Sequence, residues 1–159
     1  VIGGLNGAIA SFTGQNFGAN KFKRIKKGYY TALTLGIIYS VIMSIIFIIF
    51  KKRIIRLFVK EKDTILIASY YLQAVAFSQS FSTIEMVSNG LFTGLGLPKI
   101  PALISIIFTV LRIPMALILI KPLGISGIWW SIAISSILKG LAAYFIYLIK
   151  IRRNYKYVE

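Results

Sequence analysis

One acidic side chain falls inside a long apolar stretch of this sequence. Glu85 lies within residues 64–92, and the 159 residues contain neither histidine nor cysteine. An ionised carboxylate in hydrocarbon costs roughly 2.5 kcal/mol or more, so such residues usually face a protein interior or a water-filled path. Ionised, the carboxylate offers two oxygens to a cation, and protonated it is a neutral hydrogen-bond donor. A carboxylate within an apolar stretch therefore predicts that Glu85 lies on an ion or proton route.

A polar stripe accompanies Glu85 along the same segment. At helical spacing, four further polar residues share its face: Tyr71, Ser78, Ser82 and Asn89. A polar stripe is costly on a helix that faces only lipid, whereas it is solvated on a helix that lines a water-filled cavity. We therefore predict that these five side chains line an ion-coupling site or a cavity.

Two basic residues are expected at a membrane depth similar to that of Glu85. Arg112 falls in the middle of the fourth apolar stretch, and Lys139 falls in the middle of the fifth. Either base could pair with Glu85 and hold the helices in register, which is a structural alternative to ion coupling. Lys139 could also extend its stem toward the membrane interface.

The composition is that of a membrane protein. The chain is 57% hydrophobic and only 14% charged, far from the balance of a soluble domain. Crossing about 30 Å of hydrocarbon takes roughly 20 helical residues. We predict an all-α, polytopic membrane protein with about five transmembrane helices, at residues 1–19, 29–50, 64–92, 101–120 and 124–149. The first stretch is rich in Gly, Ser, Thr and Asn, so hydropathy alone does not assign it.

The net charge of +15 is concentrated at the ends of the apolar stretches. Basic clusters cover residues 21–27, 51–62 and 150–156, where lysine and arginine meet lipid phosphates and set the orientation. This distribution argues against nucleic-acid binding. We predict a basic cytoplasmic loop at residues 20–28 and a cytoplasmic tail at residues 150–159. Residues 51–63 are predicted as an interfacial segment, either an amphipathic helix or a solvated linker.

Small and aromatic residues predict how the helices pack and where they end. Gly3 and Gly7 are four residues apart, as are Gly90 and Gly94, and this spacing lets helix backbones approach closely in lipid. Aromatic residues near the ends of apolar stretches predict contacts at the membrane interface. They are Tyr29, Tyr30, Trp129, Trp130, Tyr144 and Tyr147.

Four blocks of the sequence, taken in order, resemble the multidrug and toxic compound extrusion (MATE) transporters. They are GQNFGANKFKRIKKGYY at residues 14–30, NGLFTGLGLPKIP at 89–101, RIPMALIL at 112–119 and GISGIWWSIAIS at 124–135. The first block is similar to the run that closes one helix of the family before a basic cytoplasmic loop. The second is similar to the loop after the family's tenth helix. Together the blocks cover nearly the whole chain.

The resemblance implies five helices of the six-helix carboxy-terminal lobe of a twelve-helix transporter. It implies antiport driven by inward Na+ or H+ flow, which exports drugs or other organic compounds across the plasma membrane by alternating access. In family members with a coupling acid on the tenth helix, that acid lies nearer to the position of Ser82 than to Glu85. The implied partners are membrane lipid, a small and mostly cationic organic substrate, and a missing amino-terminal lobe. No cofactor is expected beyond the coupling ion.

Two alternatives stay open from the residues alone. A related flippase for a lipid-linked saccharide or peptidoglycan precursor would carry polyanionic cargo, which Arg112 and Lys139 would suit. The chain begins at Val1 in mid-pattern, as a fragment would. A lobe alone would be an inactive remnant unless it dimerises or joins a missing half. An enzyme is not expected, because the sequence shows no nucleophile–base pair, metal cluster or phosphate loop.

Overall fold

Helices account for nearly all of the computed structural model, which describes residues 2–152. In this described part, five α-helices follow one another: α1 (Ile2–Gly18), α2 (Phe22–Arg56), α3 (Lys62–Gly94), α4 (Lys99–Leu123) and α5 (Ser126–Ile146). Helix α5 continues directly into a π-helix, Tyr147–Arg152. No strand occurs within residues 2–152, so the prediction of an all-α chain is confirmed. Most of the predicted tail at residues 150–159 lies outside the described residues.

Helix α3 lies at the centre of the bundle. It packs along α1, α2 and α5 and touches α4 only lightly, while α4 packs mainly against α5. Near its carboxyl end, Val87, Leu91 and Phe92 are all 0% exposed. Burial of such side chains contributes roughly 1.5–3 kcal/mol each. Helix α3 therefore fixes the position of any polar group that it carries relative to three other helices.

Within the described residues, three helices are long and apolar enough to span a membrane, namely α2, α4 and Ser126–Ile149. Helix α4 buries only Ile104, and many of its apolar side chains are exposed, as lipid-facing side chains are. Helices α1 and α3 are more polar, and hydropathy does not assign them. The chain is a multi-pass, all-α membrane protein in which the more polar helix α3 packs along α1, α2 and α5.

The basic segments are more helical than the sequence predicted. Helix α2 begins at Phe22, so most of the predicted loop at residues 20–28 forms its first turns. A short connection remains, in which Asn20 has a φ of 55°, a left-handed conformation that asparagine tolerates. At its other end, α2 continues through Arg56 because neither glycine nor proline interrupts residues 37–61. The basic run from residue 51 therefore completes α2, and residues 57–61 form a short link rather than a separate amphipathic helix.

Glycine allows α1 and α3 to pack with their backbones in contact. A Cβ atom at Gly90 would lie 2.5 Å from the carbonyl oxygen of Asn6, and one at Gly94 would also collide with the backbone of α1. The packing role predicted for these two glycines is confirmed. Within the described residues, a Cβ atom at Gly3 or Gly7 would have no neighbour within 4 Å. The same spacing therefore marks a helix contact on α3 and an uncovered face on α1.

Candidate functional site

Glu85 and two basic side chains, each from a different helix, form a charged cluster. Glu85 is half-buried on α3, and Asn89 lies one turn further along the same helix. The positive charges of Lys139 on α5 and Arg112 on α4 act on Glu85, and that of Lys139 acts more strongly. The structure thus brings together the acid and both bases that the sequence placed at one depth. We call Glu85, Asn89, Arg112 and Lys139 the Glu85 cluster.

Hydroxyl groups hold the two bases. Lys139 is 8% exposed, and its Nζ donates a hydrogen bond to Thr109 Oγ1 at 3.0 Å. Arg112 Nη2 donates to Ser135 Oγ at 3.5 Å, and that hydroxyl donates to a backbone carbonyl of α4 at 2.8 Å. In the part of the chain that the structure describes, neither base makes a direct ion pair with Glu85. The charges act on one another across space.

Two buried polar atoms of the Glu85 cluster have no hydrogen-bond partner among the described residues. They are Asn89 Oδ1, an acceptor, and Arg112 Nε, a donor. Buried polar atoms are normally satisfied, and an exception calls for an explanation such as a water, an ion or a functional role. Asn89 Oδ1 and the Glu85 carboxylate together offer three oxygen atoms, one helical turn apart.

The polar stripe predicted on α3 divides into two parts. Ser82 is half-buried one turn before Glu85, so it belongs to the same stretch of the helix. Ser78 is 6% exposed, and its hydroxyl donates to the Val75 carbonyl of its own helix at 3.1 Å. Tyr71 lies fourteen residues from Glu85, roughly 21 Å along the axis at 1.5 Å per residue.

Tyr71 packs against α5, away from the Glu85 cluster. Its ring centroid lies 4.9 Å from that of Trp129 in an edge-on contact, and the side chain is 42% exposed. The five residues share a face of α3 by helical spacing, but only the later half of that face carries a charged residue, Glu85. Ser82, Glu85 and Asn89 are therefore the predicted side chains that form a compact set.

Thr109 and Ser135 are site residues that sequence reasoning missed. Thr109 precedes Arg112 by three residues on α4, and Ser135 precedes Lys139 by four on α5. Each hydroxyl lies beside the base of its own helix but bonds the base of the other helix. The signal that could have found them is a hydroxyl residue one turn before a base on each of two consecutive apolar helices.

Two tyrosines predicted at the membrane interface are buried instead. Tyr29 is 0% exposed and Tyr147 is 2% exposed, and their ring centroids lie 4.1 Å apart. The Tyr29 hydroxyl shares a hydrogen bond of 2.8 Å with Ser88 Oγ on α3. These two rings contact protein rather than lipid because α2, α3 and the end of α5 meet there, and Ser88 satisfies the polar end of Tyr29.

A family model and several known proteins match this chain and point to the same family. The family model described as MatE matches residues 1–118. The probable multidrug resistance protein YpnP of Bacillus subtilis is 31% identical over 141 residues, which are 88% of this chain and 32% of that protein. The multidrug export protein MepA of Staphylococcus aureus is 26% identical over 153 residues, 96% of this chain and 34% of that protein.

A third relative, the probable multidrug resistance protein NorM of Pasteurella multocida, is 28% identical over 138 residues, which are 82% of this chain and 30% of that protein. This chain therefore spans about a third of the length of these relatives. The family match covers 118 of its 159 residues and contains α1, α2, α3 and most of α4, including Glu85 and Arg112. With its helical membrane fold and these relatives, the chain belongs to the MatE family of multidrug and toxic compound extrusion transporters.

Proposed function

We propose that this chain is part of a cation-coupled exporter of drugs or other organic compounds, in which Glu85 holds the coupling ion. The observation that carries the proposal is the half-buried Glu85 carboxylate on the central helix, with Asn89 beside it and bases from α4 and α5 around it. A carboxylate retained in a membrane helix at such a cost is a functional site by default. The relatives named for multidrug resistance and multidrug export support organic compounds as the cargo.

The Glu85 cluster has the chemistry of a transient cation site. Hard cations such as Na+ bind oxygen ligands, which Glu85 and Asn89 Oδ1 provide, and a proton binds the carboxylate itself. Arg112 and Lys139 weaken the hold on either cation, because like charges repel. A transported ion has to leave as readily as it enters, so the two bases would suit release as well as binding.

Helix α3 would couple the ion site to the movement of the lobe. It contacts α1, α2 and α5, so a change in the occupancy of Glu85 acts at the centre of the bundle. Alternating access requires the two states to differ in their affinity for the ion. We place this unit in a carboxy-terminal lobe that faces an amino-terminal lobe across a cleft in the plasma membrane, as in other transporters built from repeats.

The test compares Glu85→Gln with Asp63→Asn in the whole transporter. Both changes remove one negative charge from α3, but Asp63 is exposed in the first turn of the helix. Efflux of ethidium from proteoliposomes is measured with an imposed Na+ or proton gradient, and again after an ionophore has dissipated it. Glu85→Gln should lower gradient-driven efflux by about tenfold or more, which corresponds to about 1.4 kcal/mol. Asp63→Asn should leave efflux within about twofold of the unmodified protein.

Undiminished and equally gradient-dependent efflux by Glu85→Gln would refute the coupling role. The same assay addresses the flippase alternative, which none of the three relatives named above supports by its name. An unmodified protein that exports no cationic dye but restores growth to a flippase-deficient strain would favour that alternative.

A further inference from the structure

A basic groove opens along α2, lined by none of the residues of the Glu85 cluster. Its volume is about 590 Å³. Three lysines line one part of it, Lys23, Lys26 and Lys27. The remaining lining residues are Tyr30, Thr31, Thr34 and Leu35, further along the same helix. The three lysines are exposed, so a ligand can reach them from outside the bundle.

Among the described residues, no acidic side chain lines the groove to balance the lysines. Of the four acids in the chain, Glu61 and Asp63 lie beyond the opposite end of α2, and Glu85 lies within α3. The fourth, Glu159, is outside the described residues. Helix α2 has 35 residues, so its two ends are roughly 50 Å apart at 1.5 Å per residue. The positive charge of the groove is left for a partner outside the described residues.

The lining of the groove changes in character along the helix axis. Lys23, Lys27, Thr31 and Leu35 follow one another at intervals of four, so they share one face of α2. Beyond Leu35, exposed isoleucines continue along the same side: Ile38 (54%), Ile42 (52%), Ile45 (51%) and Ile49 (66%). The order is therefore cationic, hydroxylic and then apolar. This is the order in which a phospholipid presents its phosphate, its glycerol esters and its acyl chains.

We propose that this groove binds one anionic phospholipid of the bilayer. Its phosphate lies among Lys23, Lys26 and Lys27, and an acyl chain follows α2 past Leu35. Lysine ammonium groups bind phosphate as point charges, and the neighbouring hydroxyl groups can donate to ester oxygens. Helix α2 is a candidate membrane span, so its basic end lies where lipid headgroups are. A general surface attraction acts on every exposed base, whereas this site would bring three neighbouring lysines to one phosphate.

The experiment measures lipid selectivity of the whole protein in phosphatidylcholine vesicles. Spin-labelled phosphatidylglycerol or phosphatidylcholine is added, and electron spin resonance gives the fraction of label immobilised on the protein. The groove variant Lys23→Gln/Lys26→Gln/Lys27→Gln should lose about threefold or more of the preference for phosphatidylglycerol. The corresponding arginine variant, which keeps the charges, should retain that preference. Circular dichroism on each variant confirms an unchanged helix content.

A matched control removes three charges from the other end of α2, as Lys52→Gln/Arg53→Gln/Arg56→Gln, all at exposed positions. It should retain the preference within about twofold. Equal losses in the groove variant and the control would mean that only general attraction acts, and would overturn the site. If the unmodified protein shows no preference for phosphatidylglycerol, the lipid site is also overturned. That result is expected if another part of the transporter covers the groove.

Discussion

At the scale of single residues, Lys139 carries the positive charge that acts most strongly on Glu85. At an effective dielectric constant of about 20, neighbouring unit charges interact by an energy on the order of 1–4 kcal/mol. Replacing Lys139 with Met keeps the length of the side chain but removes its charge. We expect Lys139→Met to raise the apparent affinity of the transporter for its coupling cation by about tenfold. The measurement is the dependence of efflux on Na+ or H+ concentration.

Thr109→Val is the control for this change, because it removes the hydrogen-bond partner of Lys139 and leaves the charge in place. It should shift the cation affinity by less than about threefold. If both variants shift the cation affinity equally, the position of the Lys139 side chain matters rather than its charge. If Lys139→Met leaves the cation affinity unchanged, Lys139 takes no part in ion binding.

The charged residues of the site could be predicted from the sequence, and their hydroxyl partners could not. A charge within an apolar stretch has to face inward, so residue type and depth were enough to single out Glu85, Arg112 and Lys139. Thr109 and Ser135 carry no such penalty, because a hydroxyl group can bond to its own helix. Their choice of a partner across the helix pair depends on packing that periodicity does not specify.

At the scale of helices, the contact between α1 and α3 depends on the absence of a side chain at Gly90. A Cβ atom there would lie 2.5 Å from the Asn6 carbonyl oxygen, and a backbone cannot yield as a flexible side chain does. We expect Gly90→Ala to lower the free energy of unfolding by about 1–3 kcal/mol. The measurement is thermal unfolding of the detergent-solubilised protein.

Gly7→Ala on α1 makes the same chemical change where no neighbour lies within 4 Å among the described residues. Alanine favours a helix over glycine by about 0.5–1 kcal/mol, so this control should be neutral or slightly stabilising. If Gly7→Ala destabilises the protein as much as Gly90→Ala does, the face of α1 that carries Gly3 and Gly7 is also packed in the whole transporter.

The helices themselves could be predicted, but their ends and the place of α3 could not. Hydropathy marks only the residues suited to the hydrocarbon layer, whereas a helix can continue past them through polar residues. Helix α2 therefore extends beyond the predicted apolar stretch at both ends. Helix α3 carries many hydroxyl groups, and several donate to carbonyls of their own helix, as at Ser69, Ser78 and Thr83. A polar sequence of this kind can therefore lie at the centre of a bundle without lining a water-filled path at every turn.

At the scale of the whole molecule, the two ends of α2 are predicted to lie on opposite sides of the plasma membrane. Both ends of α2 are basic, so the orientation rests on the total on each side of the membrane. If the five helices alternate across it, residues 20–28, 94–100 and 150–159 share one side and carry ten lysines and arginines, against seven on the other side. Basic residues favour the cytoplasmic side, so we expect the end of α2 with residues 21–27 inside. The chain has no cysteine, so single cysteines can be introduced at Lys26 and Lys52, which are both exposed. In an otherwise cysteine-free transporter, a membrane-impermeant maleimide should label Lys52→Cys in intact cells. It should label Lys26→Cys only after the cells are permeabilised.

The reverse pattern of labelling would show an inverted orientation, and labelling of both positions in intact cells would show that α2 does not cross the membrane as one helix. The outcome also bears on the groove, because anionic lipid is concentrated in the cytoplasmic leaflet, where it attracts basic segments. With the expected pattern, Lys23, Lys26 and Lys27 lie in the leaflet that supplies their proposed ligand. One accessibility measurement therefore tests the topology and a requirement of the lipid site together.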